Sequence, residues 1–196
     1  MTPAEAVARA LGRPRSVEAD QAIRLAAVEL FGEHGFEGLS VDEVAARAGV
    51  SKATIYRRYP SKVDLVVEAA SCLADDTAVH VDTGTLQGDL RGYARGMVRK
   101  LKGTVGRIMP VMVFETRRYP ELAEGYRRFI DERRARMRET LQRAVDRGEL
   151  PADADIDLMG SMIVGPIFHR LLVSQEPLTD AFADKLADAV MRSFTV

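Results

Sequence analysis

Apolar residues recur along most of the chain at the three- and four-residue spacing of amphipathic helices. Convincing two-residue alternation, the mark of half-buried strands, does not occur. The pattern therefore predicts an all-α protein of about nine helices. Their predicted ranges are residues 17–34, 40–48, 51–58, 62–76, 86–101, 104–117, 120–147, 154–174 and 179–194.

Glycine, proline and polar segments divide this pattern into three parts. Residues 1–16 are predicted to form a flexible arm, whose arginines either reach a minor groove or belong to a frayed terminus. Residues 17–62 form a small first domain, and residues 63–196 form a larger helical domain. The helix at about 62–76 connects the two domains.

Residues 40–62 have the layout of a helix-turn-helix, in which the second helix enters the DNA major groove. Ser40 begins the first helix with the spacing of a capping box, and Gly49 permits the sharp turn. Pro60 stops the second helix. The pattern predicts double-stranded DNA as a partner.

Charge supports this interpretation because the chain as a whole is slightly acidic. Its net charge is −1 and its isoelectric point about 6.3, so any DNA contact must come from a local basic patch. Residues 51–62 contain four basic and no acidic residues. The predicted DNA-binding residues are Ser51, Lys52, Ala53, Thr54, Tyr56, Arg57, Arg58, Tyr59 and Lys62. In the alternative interpretation, both tyrosines belong to the core and the basic residues form a solvated face.

The segments AVELFGEHGF and SVDEVAARAGVSKATIYRRYPSKVDL, within about residues 17–70, resemble the tetracycline-repressor (TetR) family of transcriptional regulators. The resemblance implies a three-helix DNA-binding domain followed by a helical domain that binds a small molecule and pairs two subunits. It implies groove-facing roles for Lys52, Ala53, Thr54 and Arg57 or Arg58. It also implies phosphate contacts for Tyr56 and Lys62. VGPIFHRLLV, near the end, resembles one TetR C-terminal type more loosely.

An apolar cavity in the C-terminal domain is expected from this resemblance, and its methionines suit an adaptable site. The candidate ligand-binding residues are Met109, Met112, Glu115, Tyr126, Phe129, Met162 and His169. The same apolar residues also fit an ordinary core, with Glu115 in a salt bridge. The effector is an unidentified small molecule.

The helix at 154–174 is apolar on two faces, so it needs a partner on each side. This predicts a homodimer, with both faces buried within one subunit as the alternative. The candidate interface residues are Ser161, Gly165, Phe168, Leu172, Phe182, Leu186 and Val190.

Other candidate chemistry is weaker. The three histidines are too scattered for a metal site, and no cofactor is implied. The single cysteine, Cys72, allows no intramolecular disulfide and fits a reducing cytoplasm. No signal peptide or membrane span is expected. The many arginines of residues 120–147 fit a solvated face with i,i+4 ion pairs better than a second DNA-binding surface.

The sequence therefore predicts a cytoplasmic, homodimeric repressor that binds a palindromic operator and is released by a small molecule. Within this class, an activator, or a regulator that answers a protein or no ligand, stays open. The alternative from another class is an enzyme or carrier with Glu115 and His169 as acid and base, although no nucleophile, metal cluster or phosphate loop supports it.

Overall fold

The computed structural model describes residues 14–75 and 81–194, with side chains at 17–72 and 81–194. Within these ranges the chain forms nine α-helices and no β-strand, which confirms the all-α prediction. The helices are α1 (Pro14–Gly38), α2 (Val41–Ala48), α3 (Lys52–Arg58), α4 (Lys62–Asp75), α5 (Leu86–Leu101), α6 (Thr104–Glu115), α7 (Pro120–Asp146), α8 (Ile156–His169) and α9 (Asp180–Phe194).

The chain divides into two compact units, Met1–Cys72 and Leu73–Val196. The division falls inside α4, whereas the sequence places the domain boundary at residue 62. Helix α1 begins at Pro14, so residues 14–16, which were predicted to belong to the flexible arm, are helical. The rest of that arm lies outside the described residues.

The core of the N-terminal unit includes one apolar stripe of α1, whose residues follow helical spacing and are all buried: Ile23, Ala26, Ala27, Leu30 and Phe31. Gly35 has a φ of 69°, a left-handed conformation that glycine adopts without a steric penalty. The chain leaves the helical path there, and Phe36 and Leu39 enter the core from the following segment.

The C-terminal unit is held together by a core to which all five of its helices contribute. Helix α5 packs along α9, and α8 lies against α7 and α9. Two bidentate ion pairs reinforce the first of these contacts. Arg91 donates to Asp188 at 3.0 and 2.9 Å, and Arg95 donates to Asp184 at 2.6 Å through both nitrogens.

A buried carboxylate lies at the start of α5. The Asp89 side chain is 1% exposed. It accepts hydrogen bonds from the Thr83 backbone N–H at 2.7 Å, the Thr83 hydroxyl at 2.9 Å and Arg147 at 3.3 Å. These bonds satisfy a group that would otherwise be costly to remove from water. They also join the segment before α5 to the end of α7.

Helix α8 is shorter than predicted. It ends at His169, and Arg170–Ser174 continue as a π-helical turn before Gln175, whose φ is 52°. Contrary to the expectation, the segment Ile156–Ser174 has the length and mean hydropathy, 1.4, that a membrane span requires. A single such helix is weak evidence for a membrane span, because apolar helices of soluble proteins pass the same test.

Candidate DNA-binding surface and ligand cavity

The turn between α2 and α3 has the predicted geometry. Gly49 has a φ of 65° and a ψ of 32°, the left-handed conformation that commonly follows a helix. Its N–H donates to the Ala46 carbonyl at 3.2 Å, and the next N–H donates to the Ala45 carbonyl at 3.0 Å. Ser40 occupies the N-cap position of α2, but its side chain forms no capping hydrogen bond.

Helix α3 begins with a side-chain cap and presents one polar face. The Ser51 hydroxyl accepts from the Thr54 N–H at 3.2 Å, which fixes the start of the helix. Ile55 is buried and anchors the opposite face. The exposed members of the predicted DNA-binding set on or before α3 are Ser51, Lys52, Ala53, Tyr56 and Arg57. Small side chains at its first turn would allow close approach to base edges.

Lys52 forms an ion pair with an acidic residue of the preceding helix. Its ammonium donates to the Asp42 carboxylate at 2.8 Å, and both side chains are exposed. The hydrogen bond and the charge of Asp42 raise the pKa of Lys52. A contact of this ammonium with DNA would therefore compete with its bond to Asp42.

The two arginines at the end of α3 have different surroundings. Arg57 is exposed and forms no hydrogen bond or ion pair with the described part of the chain. Arg58 is half-buried, and its Nε lies 3.0 Å from the Asp20 carboxylate on α1. Of the two groove-facing candidates, Arg57 is therefore the one whose side chain can turn towards DNA without breaking an ion pair.

The two tyrosines of the predicted DNA-binding set differ in their exposure to solvent. Tyr56 is 45% exposed, in keeping with its predicted place on the DNA-facing side. Tyr59 is 2% exposed, and burial raises its pKa. The prediction that Tyr59 contacts DNA is wrong, because its ring belongs to the core of the N-terminal unit. The alternative interpretation therefore holds for this residue.

Lys62 lies where the end of α1 meets the start of α4. Its ammonium donates to the Glu37 carbonyl at 3.1 Å and lies 4.9 Å from the centre of the Phe36 ring. Partial burial lowers its pKa. Asp64 already accepts hydrogen bonds from Ser61 at the first turn of α4, at 2.7 and 3.2 Å. The carboxylate of Asp64 adds negative charge at this helix start, so Lys62 is the side chain there that would favour a phosphate.

The C-terminal unit contains a cavity of about 820 Å³. Its walls come from α5, α6, α7 and α8, together with the residue that precedes α8. The lining residues are Tyr93, Met97, Lys100, Leu101, Val105, Met109, Tyr126, Phe129, Ile130, Arg133, Arg134, Arg136, Met137, Arg138, Thr140, Asp155, Ile156, Asp157, Leu158, Gly160, Ser161, Val164, Gly165 and Phe168. Its volume lies within the range of about 300–1,000 Å³ that is usual for small-molecule sites.

Three of the seven predicted ligand-binding residues, Met109, Tyr126 and Phe129, line this cavity. The other four do not. Met112 and Glu115 are buried on α6 outside it. The remaining two are on α8, where Met162 packs against the core and His169 is exposed. Sequence spacing does not distinguish a methionine in the core from one that faces a cavity.

Sequence reasoning missed Arg133, which belongs to the cavity wall. Its guanidinium lies 4.1 Å from the centre of the Phe129 ring. Burial raises the pKa of Tyr93 and Tyr126, and the positive charge of Arg133 opposes this shift in both. The sequence contains one indication that Arg133 faces inward. This arginine falls within the apolar stripe that also contains Tyr126, Phe129 and Met137.

The predicted dimer residues fall into three groups by exposure. Ser161 and Gly165 are exposed on α8, whereas Phe168, Leu172 and Phe182 are half-buried. Leu186 and Val190 are buried in the core of their own unit, at 9% and 2% exposure. The assignment of Val190 to an interface is wrong, because a side chain already covered has no surface to offer a partner, and Leu186 has little such surface.

The arginines of α7 include tertiary contacts that their i,i+4 spacing does not indicate. Arg138 donates to Asp157 of α8 at 2.7, 2.8 and 3.0 Å. Arg143 donates to the Val81 carbonyl at 3.2 Å. Part of this helix therefore binds its neighbours. Among the described residues, no group of three or more histidine, cysteine or acidic side chains could hold a metal ion.

Comparisons with known proteins agree with these features. Residues 23–69 match the family model described as bacterial regulatory proteins, tetR family. Residues 80–190 match the model for the tetracyclin repressor-like C-terminal domain. The first match covers the helix-turn-helix, and the second covers all the residues that line the cavity.

Individual relatives extend over nearly the whole chain. The uncharacterised HTH-type transcriptional regulator YdeS of Bacillus subtilis is 34% identical over 184 residues, which are 93% of this chain and 91% of YdeS. The DNA-binding transcriptional repressor TetR of Mycobacteroides abscessus is 32% identical, over 87% of this chain and 90% of that protein.

A solved structure, the TetR family transcription regulator SCO0332, superposes with a TM-score of 0.73 at 29% identity. It covers 91% of this chain, and the match includes 100% of that structure. These relatives are transcriptional regulators rather than enzymes. From the helix-turn-helix, both family models and these matches, we conclude that the chain is a DNA-binding transcriptional regulator of the TetR family.

Proposed function

We propose that the protein is a homodimeric repressor that binds a palindromic operator and is released when a small molecule occupies the C-terminal cavity. The observation that carries this proposal is the cavity of about 820 Å³ in the unit that does not contain the helix-turn-helix. A DNA-binding protein has no need of such a cavity for DNA contact itself. Its presence in a second unit supports a sensory role.

Exposed side chains on α3 support operator recognition. Lys52, Ala53 and Arg57 face solvent near the start and end of one short helix, and side chains so arranged can reach base edges in a major groove. Tyr56 is exposed beside them and is suited to a phosphate contact. Lys62, which is half-buried, completes the proposed DNA-binding set.

The second apolar face of α8 supports a dimer. Met159, Ile163 and Ile167 bury the first face completely. On the second face, Leu158 is 50% exposed, and Val173 in the turn that follows is 68% exposed. An apolar helix face left open to water in one chain is typical of a subunit interface. Two chains paired by a twofold axis would present two copies of α3 to a palindrome.

The proposed mechanism is a shift between two populations of the dimer. Ligand would bind more tightly to a form in which the two α3 helices are wrongly spaced for the operator, and DNA would bind more tightly to the other form. Helix α4 connects the units along the chain and is the expected transmitter. The relative from M. abscessus, described as a repressor, favours repression over activation. The proposed location is the cytoplasm, where operator DNA is found.

The first test is selection of operator DNA from a random pool by the full-length protein. We expect a palindromic consensus that binds two chains, measured by light scattering of the complex. A library of small molecules is then screened for compounds that release this DNA. A consensus without twofold symmetry, or release that persists after the cavity is filled by Val105→Trp in a folded protein, would contradict the proposal.

The dimer has its own test. Val173→Asp places a charge on the exposed apolar surface that continues from α8 and does not line the cavity, and we expect it to produce monomers in sedimentation velocity. Phe114→Asp is the matched control, because Phe114 is an exposed apolar residue at 67% but lies on α6. If both variants, or neither, dissociate, α8 does not supply the interface.

A further inference from the structure

We infer that the cavity binds an amphipathic anion: an oxyanion, such as a carboxylate, attached to an apolar body. This inference rests on the proposed function, since it names the ligand class of the same cavity. It depends on the position of Arg133 among aromatic residues and on the charge of the cavity lining.

The lining is strongly biased towards positive charge. It includes five cationic side chains and two carboxylates. The cations are Lys100, Arg133, Arg134, Arg136 and Arg138. Two of these cations, Arg134 and Arg138, are largely exposed and lie within ion-pair distance of Asp131 and Asp157. The excess of cations over carboxylates in the lining attracts an anion and repels a cation.

Both carboxylates already have partners. Asp157 accepts hydrogen bonds from Arg138 at 2.7, 2.8 and 3.0 Å. Asp155 caps α8 by accepting from the Leu158 N–H at 2.9 Å. Neither carboxylate is therefore available to neutralise a cationic ligand without losing an existing contact.

The aromatic part of the wall supplies hydrogen-bond donors beside apolar surface. Arg133 stacks over the Phe129 ring at 4.1 Å, and its Nε is shielded from solvent. Tyr93 and Tyr126 line the same cavity as Arg133, and its positive charge lowers the pKa of both tyrosines against the effect of burial. A guanidinium and two phenol hydroxyls in the wall of one cavity include several N–H and O–H donors, which match the acceptor oxygens of a carboxylate.

One of these hydroxyls has only a weak acceptor in the structure. Tyr126 donates to the sulfur of Met109 at 3.5 Å. A thioether is a poor acceptor, so exchange of this bond for one to an oxyanion favours binding. Met97 and Val105 also line the cavity, and they provide apolar contacts for the rest of the ligand.

The test compares three probes with one apolar body. They are naphthalene-2-carboxylate, the neutral naphthalene-2-carboxamide and the cationic naphthalen-2-ylmethylammonium. Affinities for the full-length protein are measured by calorimetry at pH 7. We expect the carboxylate to bind about tenfold to a hundredfold more tightly than the amide, and the ammonium to bind least.

Arg133→Gln should abolish the preference for the carboxylate over the amide. The matched control is Arg128→Gln, which removes an exposed arginine of the same helix that does not line the cavity. Tyr126→Phe keeps the ring and should reduce the preference by about threefold to tenfold. This milder variant tests the donor set even if Arg133→Gln fails to fold, which circular dichroism would reveal.

The outcomes separate the ligand class from the proposed function. Equal binding of carboxylate and amide would overturn the inference that the ligand is an anion. The same preference in Arg133→Gln and wild type would also overturn it. In both cases the cavity would still be a proposed ligand site. Binding of none of the probes also overturns the inference. Failure of every compound in the operator-release screen would instead count against the proposed function, whatever the probes do.

Discussion

The two units of this protein place their functional residues in opposite ways. In the N-terminal unit, the exposed DNA-facing candidates Ser51, Lys52, Ala53, Tyr56 and Arg57 lie within one turn and one helix. In the C-terminal unit, the cavity lining extends from Tyr93 to Phe168 and comes from four helices. A recognition helix acts as a continuous segment, whereas a cavity exists only after distant segments have packed together.

Charged residues differ between the units in a related way. On α3, Lys52 is held by an exposed ion pair and Arg57 is directed to solvent. In the C-terminal unit, Arg91 and Arg95 instead connect α5 to α9 through bidentate pairs. Side chains of the first kind can exchange partners when DNA arrives, whereas those of the second kind help to maintain the fold.

The largest expected effect is a loss of stability when a buried charged side chain is removed. Asp89→Ala removes a buried acceptor of three hydrogen bonds and leaves Arg147 without this partner. We expect a loss of about 2–4 kcal/mol in the free energy of unfolding of the C-terminal unit, measured by urea denaturation. Asp153→Ala, at an exposed loop position, should change it by less than about 0.5 kcal/mol. Equal effects would show that the Asp89 network is not structural.

The next effect concerns DNA. Arg57→Ala should weaken binding to the selected operator by about 1–3 kcal/mol and relax the consensus at one position in each half-site, provided that Arg57 reads a base. Arg58→Ala is the comparison. Because Arg58 pairs with Asp20, its loss should lower stability more than specificity. Binding-site selection with both variants distinguishes them, and an unchanged consensus for Arg57→Ala would exclude base recognition.

Local features of the chain were predictable because they depend on neighbours in sequence. The left-handed Gly49 and the bounds of α5 follow from residue type and spacing, whereas the capping box predicted at Ser40 does not form a side-chain hydrogen bond. Tyr59 and Val190 were misassigned, since an amphipathic pattern does not tell which face is covered by the chain's own core. Arg133 was missed because a cation within an apolar stripe has meaning only when the cavity it faces is known.

A smaller effect is expected at Lys62, which belongs to the proposed DNA-binding set and also forms a hydrogen bond within the N-terminal unit. Lys62→Ala should reduce the dependence of operator affinity on salt by about 0.9 units of slope, if the ammonium neutralises one phosphate. It should also remove the hydrogen bond to the Glu37 carbonyl, at a cost of about 1 kcal/mol in stability. Binding titrations at several salt concentrations measure the first effect. A lower stability with an unchanged slope would make Lys62 purely structural.

The smallest effect tests whether the ion pair on α3 competes with DNA. Asp42→Asn removes the acceptor that holds the Lys52 ammonium at 2.8 Å. Since exposed pairs are weak, we expect operator binding to strengthen by no more than about fivefold. Glu43→Gln is the control, because it removes an equal charge from the same first turn of α2. Electrophoretic mobility shifts with a common operator compare the two. Equal gains would indicate a general reduction of negative charge near the DNA. A gain confined to Asp42→Asn would show that Lys52 leaves a specific partner on binding, and so that contacts in the N-terminal unit exchange when DNA arrives.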